Sequence, residues 1–350
     1  MAAKVRIGII GTGAIARGAH MANYAKLDDV EIVAVCDADE KAMNAAAEQY
    51  GVPKRYADYR DIAADPDIDA VSVCTPNFMH KDPTVACLRA GKHVLVEKPI
   101  AMNAAEGAEM VRAAEESGRV LAVGLHFRYD PSVEALRRFR DEGGFGDVYY
   151  SRVHILRRRG IPGWGCFGDK ARQGGGAMVD IGVHYLYIAL YVMGFPKPVS
   201  AAGAIWDRFG SKPPGVAPWG VWDHENFTVE DYAAAFVRFE GGMAMSIEAS
   251  FAANIEGCSN VWIMGDRGGA QLEPLKIYRE EFGMLTDSTP GWMPKNDCHA
   301  SEIRDFVAAA RGEGAAGVTG AEGLAVTRII DAVYRSAELG REVAVETAEP

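Results

Sequence analysis

Hydrophobic and polar positions follow two different patterns along the chain. In the first part, short continuous apolar runs alternate with stretches of helical periodicity. Apolar runs flanked by Gly, Asp and Pro and separated by helices are typical of βαβ units, so a doubly wound parallel sheet covered on both faces is predicted. The predicted strands are 5–10, 30–36, 70–74, 94–96 and 120–123, and the predicted helices are 14–27, 40–50, 83–90 and 104–116.

The second part alternates apolar and polar residues with period two, which is typical of strands that bury one face. Short glycine-containing turns join several of these strands, so the second part is predicted to be an α+β domain with an open, mainly antiparallel sheet. The two domains are predicted to span 1–125 and 126–350. Strands are predicted at 148–156, 199–206, 231–239, 243–251 and 261–264, and helices at 133–140, 180–193, 301–311 and 321–339.

Composition and charge exclude several classes of binding partner. Hydrophobic residues make up 49% of the 350 positions and charged residues 24%, and the formal net charge is −11. This charge argues against nucleic acid, since binding to phosphates needs clustered Lys and Arg. No apolar run reaches the length of a membrane span, and the six cysteines show neither a disulfide framework nor metal-ligand spacing. The cysteine spacing therefore predicts no metal site. No secretory signal is found at the N-terminus, so a cytoplasmic protein is expected.

A glycine-rich turn follows the first predicted strand. Gly11-x-Gly13-x-x-Ala16 matches the dinucleotide-binding pattern of a Rossmann fold, in which the glycines let backbone N–H groups approach a pyrophosphate. Ala14 and Ile15 open the helix and are predicted to contact the cofactor with Gly11 and Gly13.

An acidic residue, Asp37, ends the second predicted strand. A carboxylate there accepts hydrogen bonds from the adenosine ribose and repels a 2′-phosphate, so NAD is predicted rather than NADP. A helix-capping role for Asp37 suits the same position.

Further polar residues follow the third apolar run, at 75–80. Thr75 and Asn77 are placed to bind the ribose or nicotinamide side of the cofactor, because ligands bind at the carboxyl ends of parallel strands. Turn and cap roles suit them as well. His80 is a candidate cofactor contact or a packing histidine.

Glu97-Lys98-Pro99 ends a buried strand with two opposite charges, which indicates a salt bridge or a site. In the second domain, Asp180 and His184 are four residues apart after the run Gly174-Gly175-Gly176. This spacing places both side chains on one helix face, where a carboxylate and an imidazole can share a substrate hydroxyl. Cap and core roles are the alternative.

The combined motifs resemble the glucose–fructose oxidoreductase / inositol dehydrogenase / rhizopine catabolism (Gfo/Idh/MocA) family. The resemblance covers essentially the whole chain. The motifs that carry it are Gly11-x-Gly13, Thr75-Pro76-Asn77, Glu97-Lys98-Pro99 and Gly175-Gly176-x-x-x-Asp180-x-Gly182-x-x-His184.

The resemblance implies an NAD(P)-dependent oxidoreductase acting on a neutral sugar, inositol or other polyol. Lys98, Asp180 and His184 look like the catalytic set, with His184 or Lys98 as the general base. Members of the family assemble through the open sheet of the second domain, so a homodimer or homotetramer is expected. Glu97, Lys98 and Arg128 are expected near the cofactor, and the expected substrate contacts are Lys98, Arg128, Trp164, Lys170, Asp180 and His184.

Other functions remain open from the sequence. A keto- or anhydro-sugar reductase would run the same chemistry in reverse, and a non-catalytic NAD-binding regulator could share the fold. The aromatic loop 209–226 suits a sugar-site cover, a subunit interface or a core element.

Overall fold

Two sheets organise the computed structural model, which describes residues 4–346. The strands are β1 (Val5–Ile10), β2 (Val30–Cys36), β3 (Lys54–Tyr56), β4 (Ala70–Val73), β5 (His93–Glu97), β6 (Leu121–Gly124), β7 (Val148–Leu156), β8 (Pro198–Trp206), β9 (Tyr232–Phe239), β10 (Ala244–Ser250), β11 (Cys258–Gly265), β12 (Gly269–Gln271), β13 (Lys276–Glu281), β14 (Met284–Ser288) and β15 (Val343–Ala344). The α-helices are α1 (Ala22–Tyr24), α2 (Glu40–Tyr50), α3 (Tyr59–Ala64), α4 (Lys81–Arg89), α5 (Ala104–Ser117), α6 (Pro131–Asp141), α7 (Lys170–Gln173), α8 (Val183–Met193), α9 (Cys298–Ala310) and α10 (Gly320–Leu339). Two π-helical segments, Ala16–Met21 and Met178–Gly182, precede α1 and α8.

The first compact unit contains the described residues up to His126 together with Asp297–Leu324. Its six strands are all parallel, in the order β3-β2-β1-β4-β5-β6. The chain reverses its direction of progress between β1 and β4, which is where ligands bind in such sheets. The predicted doubly wound sheet is confirmed. The short strand β3 and helix α3 were not predicted, because Lys54–Tyr56 lacks an apolar run.

Helix α9 belongs to this first unit, although it lies far along the chain. Its buried residues Ile303, Phe306 and Val307 join the same apolar cluster as Ile7 and Tyr24. The sequence predicts this helix in the second domain because chain order was the only available guide. Burial of its apolar face decides the packing instead.

The second compact unit contains Phe127–Asn296 and the described residues from Ala325 to Glu346. Its sheet has the order β14-β13-β12-β11-β7-β10-β9-β8-β15, and its pairs are antiparallel except for the parallel pair β7 and β10. This confirms the predicted α+β domain with a mainly antiparallel sheet. Strands β12 to β15 were not predicted, because they are short or largely polar and exposed.

Helix α8 packs against β7 and β11, and nearly all of its residues are buried. Among the described residues, the helical stretch Lys170–Met193, which includes α7 and α8, is the one long and apolar enough to cross a membrane. Inside the protein, 89% of its apolar window is buried, which is also the behaviour of a core helix.

Candidate active site

The glycine turn after β1 is held close to the next strand of the sheet. Gly11 has φ of +85°, and a Cβ there would lie 2.8 Å from the carbonyl carbon of Cys74, so no other residue fits without a shift. Gly13 is exposed, and a Cβ there would meet no atom within 4 Å. Ala14 and Ile15 are exposed beside it, whereas Ala16 is buried. The turn therefore offers open backbone at a helix start, which fits the pyrophosphate of a dinucleotide.

Asp37 connects this turn to the end of β2 through hydrogen bonds. Its Oδ2 accepts hydrogen bonds from the Thr12 backbone N–H at 2.7 Å and from the Thr12 hydroxyl at 2.8 Å. Its Oδ1 accepts one from the backbone N–H of Asp39 at 2.9 Å. Asp39, not Asp37, caps α2. A carboxylate has about four acceptor sites, so Asp37 retains capacity for a ribose hydroxyl.

Glu97 and Lys98 lie at the carboxyl end of β5. Glu97 is buried, its Oε1 lies 2.9 Å from His20 Nε2, and its Oε2 accepts the backbone N–H of Lys98 at 3.1 Å. Burial opposes ionisation, but the hydrogen bond with His20 and the charge of Lys98 prevail and lower the pKa of Glu97 to about 2. The carboxylate therefore stays charged. Its hydrogen bond with the Lys98 backbone N–H fixes the position of that residue, whose side chain is half-buried.

His20 connects Glu97 to a buried chain of hydroxyl groups. His20 Nδ1 lies 3.1 Å from Ser72 Oγ, which lies 2.8 Å from the Tyr24 hydroxyl. Burial by itself lowers the pKa of His20, yet its contacts with Cys74 and Glu97 raise it well above the ordinary value. His20 was not a predicted site residue, because 77 positions separate it from Glu97 along the chain.

A pair of stacked histidines is formed by one residue that follows β6 and one in the first turn of α9. The rings of His126 and His299 are stacked with centroids 3.9 Å apart. Burial, and then the neighbouring His299, lower the pKa of His126 to about 4. His299 Nδ1 lies 3.7 Å from Glu302 Oε2, and burial raises the pKa of that carboxyl. The sequence carries no local signal for this cluster, because α9 reaches the unit only by tertiary packing.

The turn after β4 is closed by side chains that contact backbone. The Thr75 hydroxyl donates to the Met79 carbonyl at 2.9 Å, and Asn77 is buried at the start of a short 3₁₀ turn. His80 is fully buried, with Nδ1 2.7 Å from the Pro99 carbonyl oxygen and Nε2 2.8 Å from that of Thr75. These contacts support the packing alternative for His80, and cofactor contacts of all three residues stay predictions.

The glycine run before Asp180 lies over a buried carboxylate. Glu230 Oε2 accepts from the Gly176 backbone N–H at 2.8 Å, and Oε1 accepts from Met178 N–H at 3.0 Å and from the Tyr334 hydroxyl at 2.8 Å. A Cβ on Gly176 would lie 1.9 Å from the Glu230 carbonyl oxygen. Only glycine fits this approach, so the run is needed to position the helix that follows.

Asp180 and His184 lie on one continuous helical segment of the second unit. Asp180 is half-buried in the π-helical turn Met178–Gly182, and His184 is buried in the first turn of α8. The His184 ring contacts Phe127 edge-on at a centroid distance of 5.1 Å. Single π turns inside helices are frequent at functional sites. The predicted pairing of a carboxylate and an imidazole at a helix start is therefore compatible with the observed segment.

Arg128 follows Phe127 and is anchored inside the second unit. Its guanidinium forms an ion pair with Glu134 and lies 4.5 Å from the centroid of the Tyr191 ring. These contacts position the side chain, and its roles towards cofactor and substrate stay predictions. Lys170 is exposed at the start of α7, where its backbone N–H donates to the Thr228 hydroxyl at 2.9 Å. Among residues 4–346, no group of three His, Cys, Asp or Glu side chains is arranged to hold a metal ion.

Trp164 and the 209–226 loop lie together in the second unit. The Trp164 and Trp219 rings are stacked with centroids 6.0 Å apart, and Arg157 lies over Trp219 at 4.1 Å. Trp222 donates its indole N–H to the Gly210 carbonyl at 2.7 Å, and this hydrogen bond connects the two ends of the loop. A half-exposed aromatic surface, rather than a core, results.

Comparisons with known proteins cover both units. Residues 5–125 match the model of an oxidoreductase family with an NAD-binding Rossmann fold (GFO_IDH_MocA), and residues 133–271 match the GFO/IDH/MocA C-terminal domain. The D-glucoside 3-dehydrogenase of Escherichia coli (strain K12) is 35% identical to this chain, and the match covers 97% of both proteins.

Two other similarities extend over nearly the full length. The 1,5-anhydro-D-fructose reductase of Ensifer adhaerens is 28% identical, over 98% of this chain and 99% of the relative. The structure of a levoglucosan dehydrogenase in complex with NADH has a TM-score of 0.85 and 24% identity, and the superposition covers 99% of this chain and 100% of that one. The latter likeness supports the fold.

Proposed function

The chain belongs to the GFO/IDH/MocA oxidoreductase family, and we propose that it transfers a hydride between a hydroxyl-bearing carbon of a sugar or polyol and nicotinamide. The observation that carries this proposal is the 35% identity to a D-glucoside 3-dehydrogenase over 97% of both chains. The motifs Glu97-Lys98-Pro99 and Asp180-x-Gly182-x-x-His184 support it, since they supply the acid–base groups that oxidation of an alcohol needs.

NAD is the cofactor, in keeping with the NAD-binding Rossmann fold of the family. When bound, it accepts the hydride from the substrate carbon or returns it. The open backbone at Gly13 and the exposed start of the following helix fit its pyrophosphate. Asp37 carries a negative charge at the end of β2, which disfavours the 2′-phosphate of NADP. The residues proposed to hold the cofactor are Gly11, Gly13, Ala14, Ile15, Asp37, Thr75, Asn77, His80, Glu97, Lys98 and Arg128.

Oxidation of an alcohol requires that the hydroxyl proton leave as the hydride departs from carbon. We assign proton removal to the His184 imidazole, because a neutral histidine is a base near neutral pH. Lys98 donates a hydrogen bond to the substrate oxygen and stabilises its developing negative charge. Asp180 accepts a hydrogen bond from a substrate hydroxyl or orients His184. Trp164 and Lys170 are the proposed contacts with the rest of the substrate.

The test measures nicotinamide reduction by the purified protein with glucose, glucosides and inositols, using NAD or NADP. Turnover is expected with NAD. Lys98→Ala and His184→Ala are each expected to lower kcat by about 10²–10⁴-fold, as for positioned acid–base groups. Their pH profiles separate the two roles, because loss of the base removes the acidic limb. Losses below about tenfold in both variants would contradict the assignment.

The reverse direction is a second candidate function. The 28% identity to a 1,5-anhydro-D-fructose reductase over nearly the whole chain favours it. Oxidation of NADH by keto- and anhydro-sugars tests this direction in the same assay. Cofactor binding without turnover in either direction would instead favour a non-catalytic NAD-binding regulator.

The proposal extends to location and assembly. A cytoplasmic location agrees with the six free cysteines, three of them buried, which a reducing compartment preserves. A homodimer or homotetramer through the open face of the second unit's sheet agrees with the aromatic side chains there. These include Tyr150, Tyr232, Phe236 and Trp262.

A further inference from the structure

Two tryptophans and an arginine form a layered stack on the second unit. The Arg157 guanidinium lies 4.1 Å from the Trp219 ring centroid, and Trp219 stacks on Trp164 at 6.0 Å with an interplanar angle of 20°. Trp164 is 57% exposed and Trp219 is 39% exposed. We call Trp164 and Trp219, backed by Arg157, the tryptophan platform.

The loops that carry the tryptophan platform are tied to each other through backbone. The Gly163 N–H donates to the Trp219 carbonyl at 2.9 Å. A Cβ on Gly163 would lie 2.4 Å from the carbonyl carbon of Gly220, so the close approach requires glycine. The Arg157 guanidinium also packs over the Trp219 ring, and such a cation–π contact is stabilising when it is partly desolvated. The stack is therefore a fixed part of the structure.

The platform begins next to the turn that carries Asp180. Arg157 directly follows β7 and donates its backbone N–H to the Ser250 carbonyl at 3.1 Å. Ser250 is the last residue of β10, and the residue before it, Ala249, packs against the π turn, since a Cβ on Gly182 would lie 3.2 Å from the Ala249 Cβ. Burial lowers the pKa of Arg157, and the nearby Asp180 charge opposes this shift. Arg157 of the platform therefore lies near the proposed catalytic carboxylate.

One residue of the platform, Trp164, lines a cavity. Trp164 and Trp222 contribute to a cavity of about 690 Å³, a size within the range of small-ligand sites. Aromatic faces with a few polar groups suit a hydroxylated or aromatic ring. The charged lining comprises one guanidinium and three carboxylates: Arg172, Asp169, Asp223 and Glu225. This excess of carboxylates disfavours phosphate-bearing groups.

We propose that the tryptophan platform binds the group joined to the reacting sugar ring, that is, the neutral aglycone or second sugar of a glycoside. This inference rests on the proposed function, because the reacting ring must lie near Asp180. A ring stacked on Trp164 gains apolar contact without needing a charge. The substrate class that follows is a neutral glycoside, preferred over both the free sugar and a nucleotide sugar.

The test compares phenyl β-D-glucopyranoside, D-glucose and UDP-glucose in steady-state NAD reduction by the full chain. Removing the ring with Trp164→Ala is expected to lower the ratio of kcat/KM for the phenyl glucoside over glucose by about tenfold, through KM, which corresponds to about 1.4 kcal/mol. Trp164→Phe keeps a ring and is expected to restore most of the ratio. Trp292→Ala is the matched control, since Trp292 is 81% exposed and lines a different cavity.

Calorimetric titration of phenyl glucoside into the NADH-loaded protein supplies a readout apart from turnover. Binding that weakens in Trp164→Ala but not in Trp292→Ala supports the subsite, even where no sugar is oxidised and the proposed function fails. Equal losses for phenyl glucoside and glucose would overturn the subsite while leaving the dehydrogenase intact. So would UDP-glucose as the preferred substrate, or a change of molar mass in Trp164→Ala that marks the platform as a subunit contact.

Discussion

Glu97 and His20 form a buried ion pair directly beneath Lys98. Breaking such a pair leaves one uncompensated charge in the interior, whereas exposed pairs contribute little. Because Glu97 also accepts the backbone N–H of Lys98, the pair orients the proposed catalytic lysine as well as stabilising the first unit. His20 and Glu97 are therefore positioning residues.

The ion pair predicts a specific acid sensitivity. The pKa of Glu97 is lowered from 4.5 to about 2 in the folded protein, so its contribution to stability is present above about pH 4.5 and is lost as pH falls towards 2. The raised pKa of His20 keeps this histidine charged throughout that window, since its own contribution is lost only when pH rises through its folded-state value.

Glu97→Gln is accordingly expected to lower the free energy of unfolding near neutral pH by about 3–5 kcal/mol. It should also flatten the acid loss between about pH 4.5 and 2. Denaturant unfolding at a series of pH values measures both, with the exposed Glu116→Gln as the matched control. An acid profile identical to that of the wild type would show that Glu97 is not the titrating group.

At the scale of elements, a helix is positioned by the carboxylate under its first turn. Glu230 accepts two backbone N–H groups that precede Asp180 and a hydroxyl from α10. This close approach is possible because Gly176 has no side chain, so the glycine is required by a tertiary contact. The π turn that carries Asp180 then leads directly into α8.

Gly176→Ala tests this arrangement. The added methyl group would lie 1.9 Å from the Glu230 carbonyl oxygen, so the turn must shift. We expect a loss of about 1–3 kcal/mol in stability, together with lower activity, as is usual for overpacking. Gly215→Ala is the control, because a Cβ at that exposed glycine meets no atom within 4 Å. Thermal unfolding of both variants gives the comparison, and equal melting temperatures would refute the steric argument.

For the whole molecule, the open face of the second unit's sheet is the proposed assembly surface. Phe236 is 36% exposed on β9, and its ring lies 6.5 Å from that of Tyr150 on β7. Apolar and aromatic side chains at the centre of a sheet face are typical of buried interfaces.

Phe236→Glu is expected to convert a homo-oligomer into monomers, because removing a carboxylate from water into an interface costs free energy that opposes association. Light scattering coupled to size exclusion gives the molar mass directly. Phe282→Glu serves as the control, since Phe282 is 91% exposed at the hairpin between β13 and β14. A wild-type protein with the mass of one chain would contradict the proposed assembly.

The sequence by itself determined the features that are encoded locally. Apolar runs between helical stretches predicted the parallel sheet, because strands buried on both faces must be continuously apolar. The glycine turn at residues 11–13, Glu97-Lys98-Pro99 and the pair Asp180 and His184 were visible because each motif lies within one short segment. These motifs were sufficient to identify the family and the candidate chemistry.

Only the tertiary structure decided the features that depend on distant segments. His20 lies beside Glu97, α9 joins the first unit, and Glu230 lies beneath the glycine run. The parallel pairing of β7 with β10 also depends on distant segments. The physical reason is that burying an apolar face is favourable, and that a buried charge requires a partner, whatever distance along the chain separates the two groups. Local periodicity shows which face of an element is apolar and must be buried. Only the tertiary structure shows which element packs against that face.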